Sequence, residues 1–236
     1  LSLGKLESRY SSRTERIASC RNEYLRQIRC NPTYKKIDYV VVADLDGANT
    51  NLKPHSVEQC WNLDEKWDAC FANQSAPYYD IWALRHRLWS PYDCFEHEKF
   101  LKKNGVGEFK SRFISVYSKM IKIPKNAKPI KVNSAFGGLG IYKRIFFDEG
   151  IYEGLDKEGN EVCEHVFFHT ERKGSKNLFI VPSLINSSYN EHSRQSKPLN
   201  LLILFITSRF MSFKTMSKIK YAVRKNFKRL SSLVKK

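Results

Sequence analysis

The chain has 236 residues, of which 42% are hydrophobic and 13% aromatic, and its formal net charge is +17. This composition excludes an intrinsically disordered chain and suffices for one sizeable hydrophobic core, alone or with an appendage. The charge is uneven, because residues 194–236 contain twelve Lys or Arg and no acidic residue, whereas residues 1–193 carry a net charge of only +5. We therefore predict a folded domain over residues 1–193 and a basic tail over residues 194–236.

The six cysteines form no C-x-x-C pair and no Cys/His spacing that is typical of a zinc site. They can be reduced thiols or disulfides, and their pattern leaves both possibilities open. Two segments, beginning at Asn73 and Asn186, match the N-glycosylation pattern, which also occurs often by chance.

The first predicted element is a helix over residues 13–29. One of its faces is apolar, through side chains that recur at helical spacing: Ile17, Cys20, Tyr24, Leu25 and Ile28. Pro32 ends this pattern, because the residue before a proline is disfavoured in the α conformation. Residues Tyr39–Ala43 then form a β-branched apolar run, which predicts a buried strand of a parallel sheet. A helix followed directly by such a strand indicates βαβ architecture.

An acidic turn, Asp44-Leu45-Asp46-Gly47, follows this strand. Ligands of open α/β sheets bind at the carboxyl ends of strands, and in an extended segment Asp44 and Asp46 point to the same side. Two carboxylates so close together favour a cation between them, and oxygen ligands suit Mg²⁺ or Mn²⁺. The alternative is a turn rich in Asp, Gly and Asn that only reverses the chain.

The middle of the chain predicts a helix over residues 56–71, a strand over residues 78–84, and one or two surface helices within residues 93–120. Residues 130–142 combine a strand pattern with three glycines, which allow the backbone to turn sharply or to approach a ligand closely. These glycines do not match the dinucleotide-binding pattern G-x-G-x-x-G. The alternative is a glycine-bearing bend within a strand.

Residues 162–169 predict a short helix on which Glu164, His165 and His169 are near neighbours. A Glu beside two histidines can act as a general base or form a metal site, and the alternative is a set of paired structural side chains. Residues 178–184 predict a further strand, which Pro182 either ends or places near an edge of the sheet.

The tail begins with an apolar stretch over residues 199–206, which is far shorter than the roughly 20 residues needed to cross a bilayer. Apolar residues then recur at steps of three and four between Phe213 and Val234, with basic residues between them. This pattern predicts a basic amphipathic helix on an anionic membrane surface, and the alternative is a helix docked on the domain. We expect no nucleic-acid partner, because the aromatic residues lie on the apolar face and no recognition fold is visible.

Five segments, in this order, resemble glycosyltransferases of the GT-A fold group, near the capsule-associated mannosyltransferase-like enzymes and their bacterial relatives. They are RTERIASCRN (13–22), YVVVADLD (39–46), YDIWALR (79–85), SAFGGLGIYK (134–143) and CEH (163–165). The resemblance covers about residues 13–190. It implies an α/β fold with a mixed, mostly parallel sheet flanked by helices, and a role in polysaccharide biosynthesis.

The resemblance also implies a metal-dependent hexosyltransferase that uses a nucleotide-sugar donor, Mn²⁺ or Mg²⁺, and a glycan or lipid-linked acceptor. The carboxylates of the D-x-D element would bind the metal and the donor diphosphate, and a late histidine would join them: Asp44, Asp46 and His192, with His169 as another candidate. Glu164 would be the catalytic carboxylate, which deprotonates the acceptor hydroxyl in an inverting enzyme and has another role in a retaining one.

The same resemblance places a further set of residues at the substrates. The donor contacts would be Arg13, Arg21, Asn22 and Arg85, and the acceptor contacts would be Trp82, Gly137 and Gly138. The family usually has a longer segment before D-x-D, which includes its first βαβ unit, whereas here 43 residues precede Asp44. We therefore expect a GT-A-like sheet that lacks this unit, and either the chain is truncated or its donor site is incomplete.

Two other functions remain as alternatives: an inactive carbohydrate-binding remnant of the same fold, and a haloacid-dehalogenase-type phosphatase. The phosphatase would use Asp44 as nucleophile and Asp46 as acid, and it would need a downstream acidic pair, for which Asp148 and Glu149 are the candidates. The expected location is cytoplasmic and peripheral at the membrane, with the lumen of the secretory pathway as the alternative.

Overall fold

A computed structural model of the chain describes residues 2–172, 174, 176–190 and 193–208. Within them one five-stranded sheet is flanked by helices, which confirms the α/β class. The strands are β1 (Tyr39–Ala43), β2 (Ala69–Gln74), β3 (Ile130–Val132), β4 (Leu139–Lys143) and β5 (Leu178–Ser187). The α-helices are α1 (Arg13–Cys30), α2 (Pro54–Glu58), α3 (Cys94–Lys103), α4 (Glu108–Ser115), α5 (Glu164–Thr170) and α6 (Pro198–Ser208).

The sheet has the strand order β1-β4-β2-β5-β3, and only β2 and β5 in it are parallel to each other. The expectation of a mostly parallel sheet is therefore wrong. The prediction of β1 is confirmed in its bounds but wrong in its setting, because β1 is an antiparallel edge strand with Tyr39 and Val41 exposed. An apolar run does not distinguish an edge strand from a central one, since its partners lie far away in the sequence.

Helix α1 confirms the first predicted helix almost to the residue. The Ser12 hydroxyl accepts a hydrogen bond from the Glu15 amide, which satisfies one of the free N–H groups at the start of the helix. Leu25 and Ile28 are buried on the face that the apolar spacing predicted. The helix also docks onto residues 147–154, where the Asn22 amide group donates to the Tyr152 carbonyl (2.8 Å) and its oxygen accepts from the Tyr152 amide (2.9 Å).

Two hydrophobic clusters cover the two faces of the sheet, because successive side chains of a strand point to opposite faces. In β2, Ala69 and Phe71 join one cluster, whereas Cys70 and Ala72 join the other. The strand is buried at all six positions. Burial on both faces removes the alternation of polar and apolar residues that identifies a strand in a sequence.

Two predicted elements of the middle of the chain are wrong. The helix expected over residues 56–71 is only the five-residue α2, and its last part is strand β2. The strand expected over residues 78–84 is an irregular segment with one turn at residues 81–83, and an isolated bridge between Arg85 and Ser134 follows it. The prediction of one or two helices within residues 93–120 is confirmed, and the structure has two, α3 and α4, on either side of Gly105.

Strand β5 continues through Pro182, so the prediction that the proline ends the strand is wrong. The alternative, a position near an edge of the sheet, agrees with the structure, because β5 is second from the edge and the edge strand β3 pairs only with its residues Leu178–Ile180. The pairing with β2 shifts here, because Phe71 pairs with Ile180 but Asn73 pairs with Ile185. Proline has no N–H for the ladder, and a bulge is a place within a sheet that tolerates it. The Asn73 side chain donates to the Pro182 carbonyl (3.0 Å) and so closes the irregular stretch.

The structure decides whether the cysteines form disulfides and whether the two glycosylation patterns are accessible. All six cysteines are free thiols. Asn73 and Asn186, which begin the two glycosylation patterns, are fully buried and hydrogen-bonded, so neither is accessible for modification in the folded chain.

The start of the tail packs on the domain through α6, where Leu204 is buried and the Phe205 ring lies 5.5 Å from the Phe109 ring of α4. No helix among the described residues has the length and hydrophobicity to cross a membrane. The predicted basic amphipathic helix between Phe213 and Val234 lies outside the described residues, and the domain boundary at residue 193 stays a prediction.

Candidate active site

An open pocket with a volume of about 720 Å³ lies at the carboxyl end of β1. Its walls come from α1, from the acidic turn, from residues 79–82 and from the start of α5, with further side chains from α3 and α4. A second hollow of about 370 Å³ runs along α1 and shares five lining residues with the pocket: Arg13, Ile17, Arg21, Asp44 and Leu45. The acidic turn therefore borders two adjoining hollows.

The acidic turn places both of its carboxylates at the pocket. Asp44 is partly buried and Asp46 is exposed, and both line the cavity. The backbone of the turn is fixed by the Asp44 amide, which donates to the Gly138 carbonyl (3.0 Å), and by the Asn49 side chain, which donates to the Asp44 carbonyl (2.8 Å). Gly47 has a positive φ of 94°, a conformation that glycine adopts without steric cost.

Arg21 of α1 joins the acidic turn to α5. Its guanidinium donates to Asp44 Oδ1 (3.2 Å) and to Glu164 Oε1 (2.8 Å). The Arg21 and Glu164 side chains are 12% and 8% exposed, whereas Asp44 is 37% exposed and faces the pocket. Burial raises the pKa of Asp44, Arg21 lowers it and Asp46 raises it, so the net shift is upward. A cation bound beside Asp44 would favour the ionised form of this carboxyl.

Asp80 is a pocket carboxylate that the sequence did not single out. Its two oxygens accept hydrogen bonds from the Gly137 amide (2.9 Å) and from the Ala83 amide (3.3 Å). Burial raises the pKa of Asp80 to about 6, since the opposing effect of these two hydrogen bonds is smaller and Asp44 and Glu164 add to the rise. The pocket thus contains two carboxylates that Arg21 holds, Asp44 and Glu164, and a further one, Asp80, whose raised pKa favours the binding of a proton.

His165 lines the pocket, with its ring stacked on that of Phe136 at 3.8 Å between centroids. Neither of its ring nitrogens has a hydrogen-bond partner in the described part of the chain. Burial, with help from Arg21 and His169, lowers the pKa of His165 well below its ordinary value, so its 3.7 Å contact with Glu164 is not an ion pair. A neutral imidazole offers one donor and one acceptor to a bound ligand.

His169 has a structural setting instead. Its two ring nitrogens lie 2.9 Å from the Ser134 hydroxyl and 3.0 Å from the Tyr142 hydroxyl, deep in the core. Burial, followed by Lys176, Arg172 and Arg21, lowers the pKa of His169 to about 3. Of the predicted group Glu164, His165 and His169, the first two therefore lie at the pocket and the third does not.

The glycine turn that precedes β4 supports the pocket from behind. Gly137 and Gly138 have positive φ values of 66° and 84°. The carbonyl of Gly137 accepts from the side chains of Gln74 (3.2 Å) and Asn186 (2.8 Å), and Asn186 also donates to Asn49 (2.9 Å). This chain of buried amides ties the glycine turn to the acidic turn, although neither glycine is among the residues that line the cavity.

The other predicted substrate residues divide into two groups. Arg13 and Trp82 line the pocket with Arg21. Asn22 and Arg85 do not line it: Asn22 holds α1 on Tyr152, and Arg85 pairs with Asp93 (2.7 Å). Both have structural contacts that a sequence pattern does not reveal.

The predicted metal site has two carboxylates, Asp44 and Asp46, in place. No group of three or more His, Cys, Asp and Glu side chains is arranged for a metal within the described ranges. Mg²⁺ is commonly held by one or two carboxylates together with the phosphates of a substrate, so this turn fits a cation that is shared with a diphosphate. His192, the third predicted ligand, lies outside the described residues.

We compared the chain with protein-family models, with curated proteins and with solved structures, and none of the three comparisons gave a match. An assignment of function therefore depends on the geometry and the chemistry of the pocket.

Proposed function

We propose that the chain is a metal-dependent glycosyltransferase, which moves a sugar from a nucleotide-sugar donor to a hydroxyl of a glycan or lipid-linked acceptor. The observation that carries this proposal is that Asp44 and Asp46 line the same open pocket as Glu164, which lies far from them in the sequence. In the same proposal the five-stranded sheet is of GT-A type and lacks the first βαβ unit.

The donor diphosphate fits the side of the pocket where the acidic turn meets α1. Asp44 and Asp46 would hold Mn²⁺ or Mg²⁺, and the cation would neutralise the charge that develops on the leaving diphosphate. Arg13 and Arg21 add two guanidinium groups, which are suited to phosphate oxygens. The adjoining hollow along α1 gives the rest of the nucleotide a place to lie.

Glu164 is the group that we assign to the acceptor. In an inverting reaction the acceptor hydroxyl attacks the anomeric carbon, the bond between that carbon and the diphosphate oxygen breaks, and the hydroxyl proton passes to Glu164. Arg21 holds Glu164 through Nε at 2.8 Å, which fixes the carboxylate relative to Asp44. His165 and Trp82, which line the same pocket, offer a hydrogen-bonding ring and an aromatic wall to a sugar.

The test is a panel of nucleotide sugars with Mn²⁺, in which we expect donor hydrolysis or transfer. Asp46→Asn should abolish this activity, because it removes a charged metal ligand without changing the size of the side chain. Asp64→Asn is the matched control, since Asp64 is exposed and does not line the pocket. Turnover that is unchanged in Asp46→Asn would refute the proposal.

Two further measurements distinguish the alternative functions from glycosyl transfer. Phosphate release from a simple phosphomonoester, without any sugar donor, would indicate the phosphatase. That function has less support, because Asp148 and Glu149 do not line the pocket and Asp148 is paired with Arg144. Oligosaccharide binding by calorimetry, with no turnover of any donor, would indicate the inactive remnant.

A further inference from the structure

Helix α6 presents an apolar stripe to solvent. Four of its side chains, at helical spacings of three, one and three, lie on the same face and are exposed by 67, 54, 47 and 50%: Leu199, Leu202, Ile203 and Ile206. Leu204, on the opposite side of the helix, is 3% exposed and faces the domain. The helix contains no charged residue.

A surface helix of a globular protein normally turns apolar residues inward and charged residues outward, whereas α6 has apolar residues on its inner and its outer side. Single exposed apolar side chains are common, but a continuous apolar stripe marks a surface that binds something. The eleven residues of α6 are too short to span a bilayer, which takes about 20 residues, yet they suffice for a helix that lies in the plane of a membrane surface.

The charge on both sides of α6 indicates the chemistry of the partner. Arg194 and Lys197 precede the helix, and residues 209–236 contribute ten further Lys or Arg and no acidic residue. The Lys197 ammonium lies 4.4 Å from the centre of the Tyr189 ring, which is 41% exposed and suited to a membrane interface. An apolar stripe between cationic segments complements a surface that is anionic outside and apolar beneath.

We propose that α6 is a membrane anchor, which inserts its apolar stripe into the interface of an anionic lipid bilayer while the flanking cations contact the headgroups. Neither contribution is large alone: a short apolar stripe gives marginal binding, and cations without apolar contact are displaced by salt. Their combination gives stable peripheral binding. The proposal uses no residue of the pocket, so it stands or fails independently of glycosyl transfer.

The test is co-sedimentation of the full chain with phosphatidylcholine vesicles, with and without phosphatidylglycerol. We expect binding to the anionic vesicles only, and weaker binding in 1 M salt, where the screening length falls to about 3 Å. Leu202→Glu/Ile206→Glu should lower binding about tenfold or more, because it brings two charges into the inserted face. The control, Leu88→Glu/Ile145→Glu, adds the same charges at exposed apolar positions outside α6 and should bind like the wild type.

Thermal unfolding of each variant shows whether it is folded, and the neutral variant Leu199→Gln/Ile203→Gln provides a milder change with a smaller expected loss. Equal binding of the α6 variants and the control would overturn the proposal. So would sedimentation velocity that shows a dimer for the wild type and a monomer for the α6 variants, without vesicle binding, since the stripe would then cover a second copy of the chain.

Discussion

Arg21 is the side chain on which the predicted site depends most, because it alone bonds both Asp44 and Glu164 among the described residues. Arg21→Ala leaves Glu164, which is 8% exposed, as a nearly buried charge without its partner. We expect the free energy of unfolding to fall by about 3 kcal/mol, as is typical when one member of a buried pair is removed. Urea unfolding with an unchanged m-value measures this loss.

Arg26→Ala is the matched control on the same helix, since Arg26 forms an exposed pair with Glu23 and its loss should change the free energy of unfolding far less than Arg21→Ala does. Adding Glu164→Gln to Arg21→Ala should restore part of the stability, because the amide carries no charge that needs a partner. A double variant that is less stable than Arg21→Ala would contradict this account of the pair.

Asp80 makes stability depend on pH in a definite direction. Its pKa is about 6 in the folded chain and ~4 when unfolded, so the folded state binds more protons between these values. The contribution of Asp80 to the free energy of unfolding should therefore be highest below about pH 4 and fall as the pH rises through about 6. Asp80→Asn should remove this part of the dependence, and carbon NMR of the carboxyl measures the midpoint directly. A midpoint near 4 would contradict the prediction.

At the level of single residues, the sequence predicts some of the side chains that line the pocket. Asp44, Asp46 and Glu164 stand next to predicted strand and helix ends, so their pattern by itself indicates a chemical role. Asp80 was missed because it falls within a wrongly predicted strand, and only its bonds to Gly137 and Ala83 bring it to the cavity. Local pattern cannot supply such a contact.

Among the elements, the turn before β4 depends most strictly on glycine. A Cβ at Gly137 would lie 2.7 Å from the Ala72 carbonyl oxygen, and its φ of 66° is unfavourable for any other residue. Gly137→Ala should therefore lower the free energy of unfolding by more than about 2 kcal/mol, as the sum of backbone strain and steric overlap. Chemical denaturation measures the difference.

Gly159→Ala separates these two causes. Gly159 also has a positive φ, of 79°, but a Cβ there meets nothing within 4 Å. It should cost only the backbone strain, about 1 kcal/mol. Equal losses at the two positions would mean that the approach of Gly137 to β2 does not matter.

The elements themselves were predictable where their residues form a distinctive local pattern. The apolar spacing of α1 and the run in β1 gave bounds that agree with the structure within a residue. Strand β2 was not predictable, since it is buried on both faces, and the path of β5 through Pro182 depends on the bulge opposite Asn73. Proline within a sheet is confined to edges and bulges, and Pro182 lies where the pairing between β5 and β2 is irregular.

Over the whole molecule, the α/β class follows from the alternation of helices and strands, but the strand order does not. The residues of β1 do not indicate that its neighbour in the sheet is β4, nearly a hundred residues later, or that the two strands are antiparallel. The fold that holds this pair includes the hydrogen-bonded amides of Asn49, Asn186 and Gln74 and hydrophobic clusters on both faces of the sheet. These contacts join residues that are far apart in the sequence, so a local sequence pattern does not predict them.

If the pocket binds a cation together with a diphosphate, as we propose, the two ligands should stabilise the whole fold jointly. In the proposed site Mn²⁺ alone would have Asp44 and Asp46 as its protein ligands, and the diphosphate alone would meet the repulsion of these two carboxylates. Each ligand by itself should therefore change the melting temperature little. When Mn²⁺ is present and the diphosphate is at about 100 times its dissociation constant, the free energy of unfolding should rise by ~2.7 kcal/mol. The melting temperature should then rise by roughly 5–10 °C. Thermal unfolding with uridine and guanosine diphosphate, each with and without Mn²⁺, measures this.

The variants decide whether the coupling arises at the acidic turn. Asp46→Asn should remove the joint shift, because it deletes one of the two charges that hold the cation, whereas Asp64→Asn should keep it. Chelation of Mn²⁺ should return the melting temperature of the wild type to that of the free chain. If the diphosphate alone stabilised the chain fully and Asp46→Asn increased its effect, the arginines Arg13 and Arg21 would hold the phosphates without a metal, and Asp46 would only repel them.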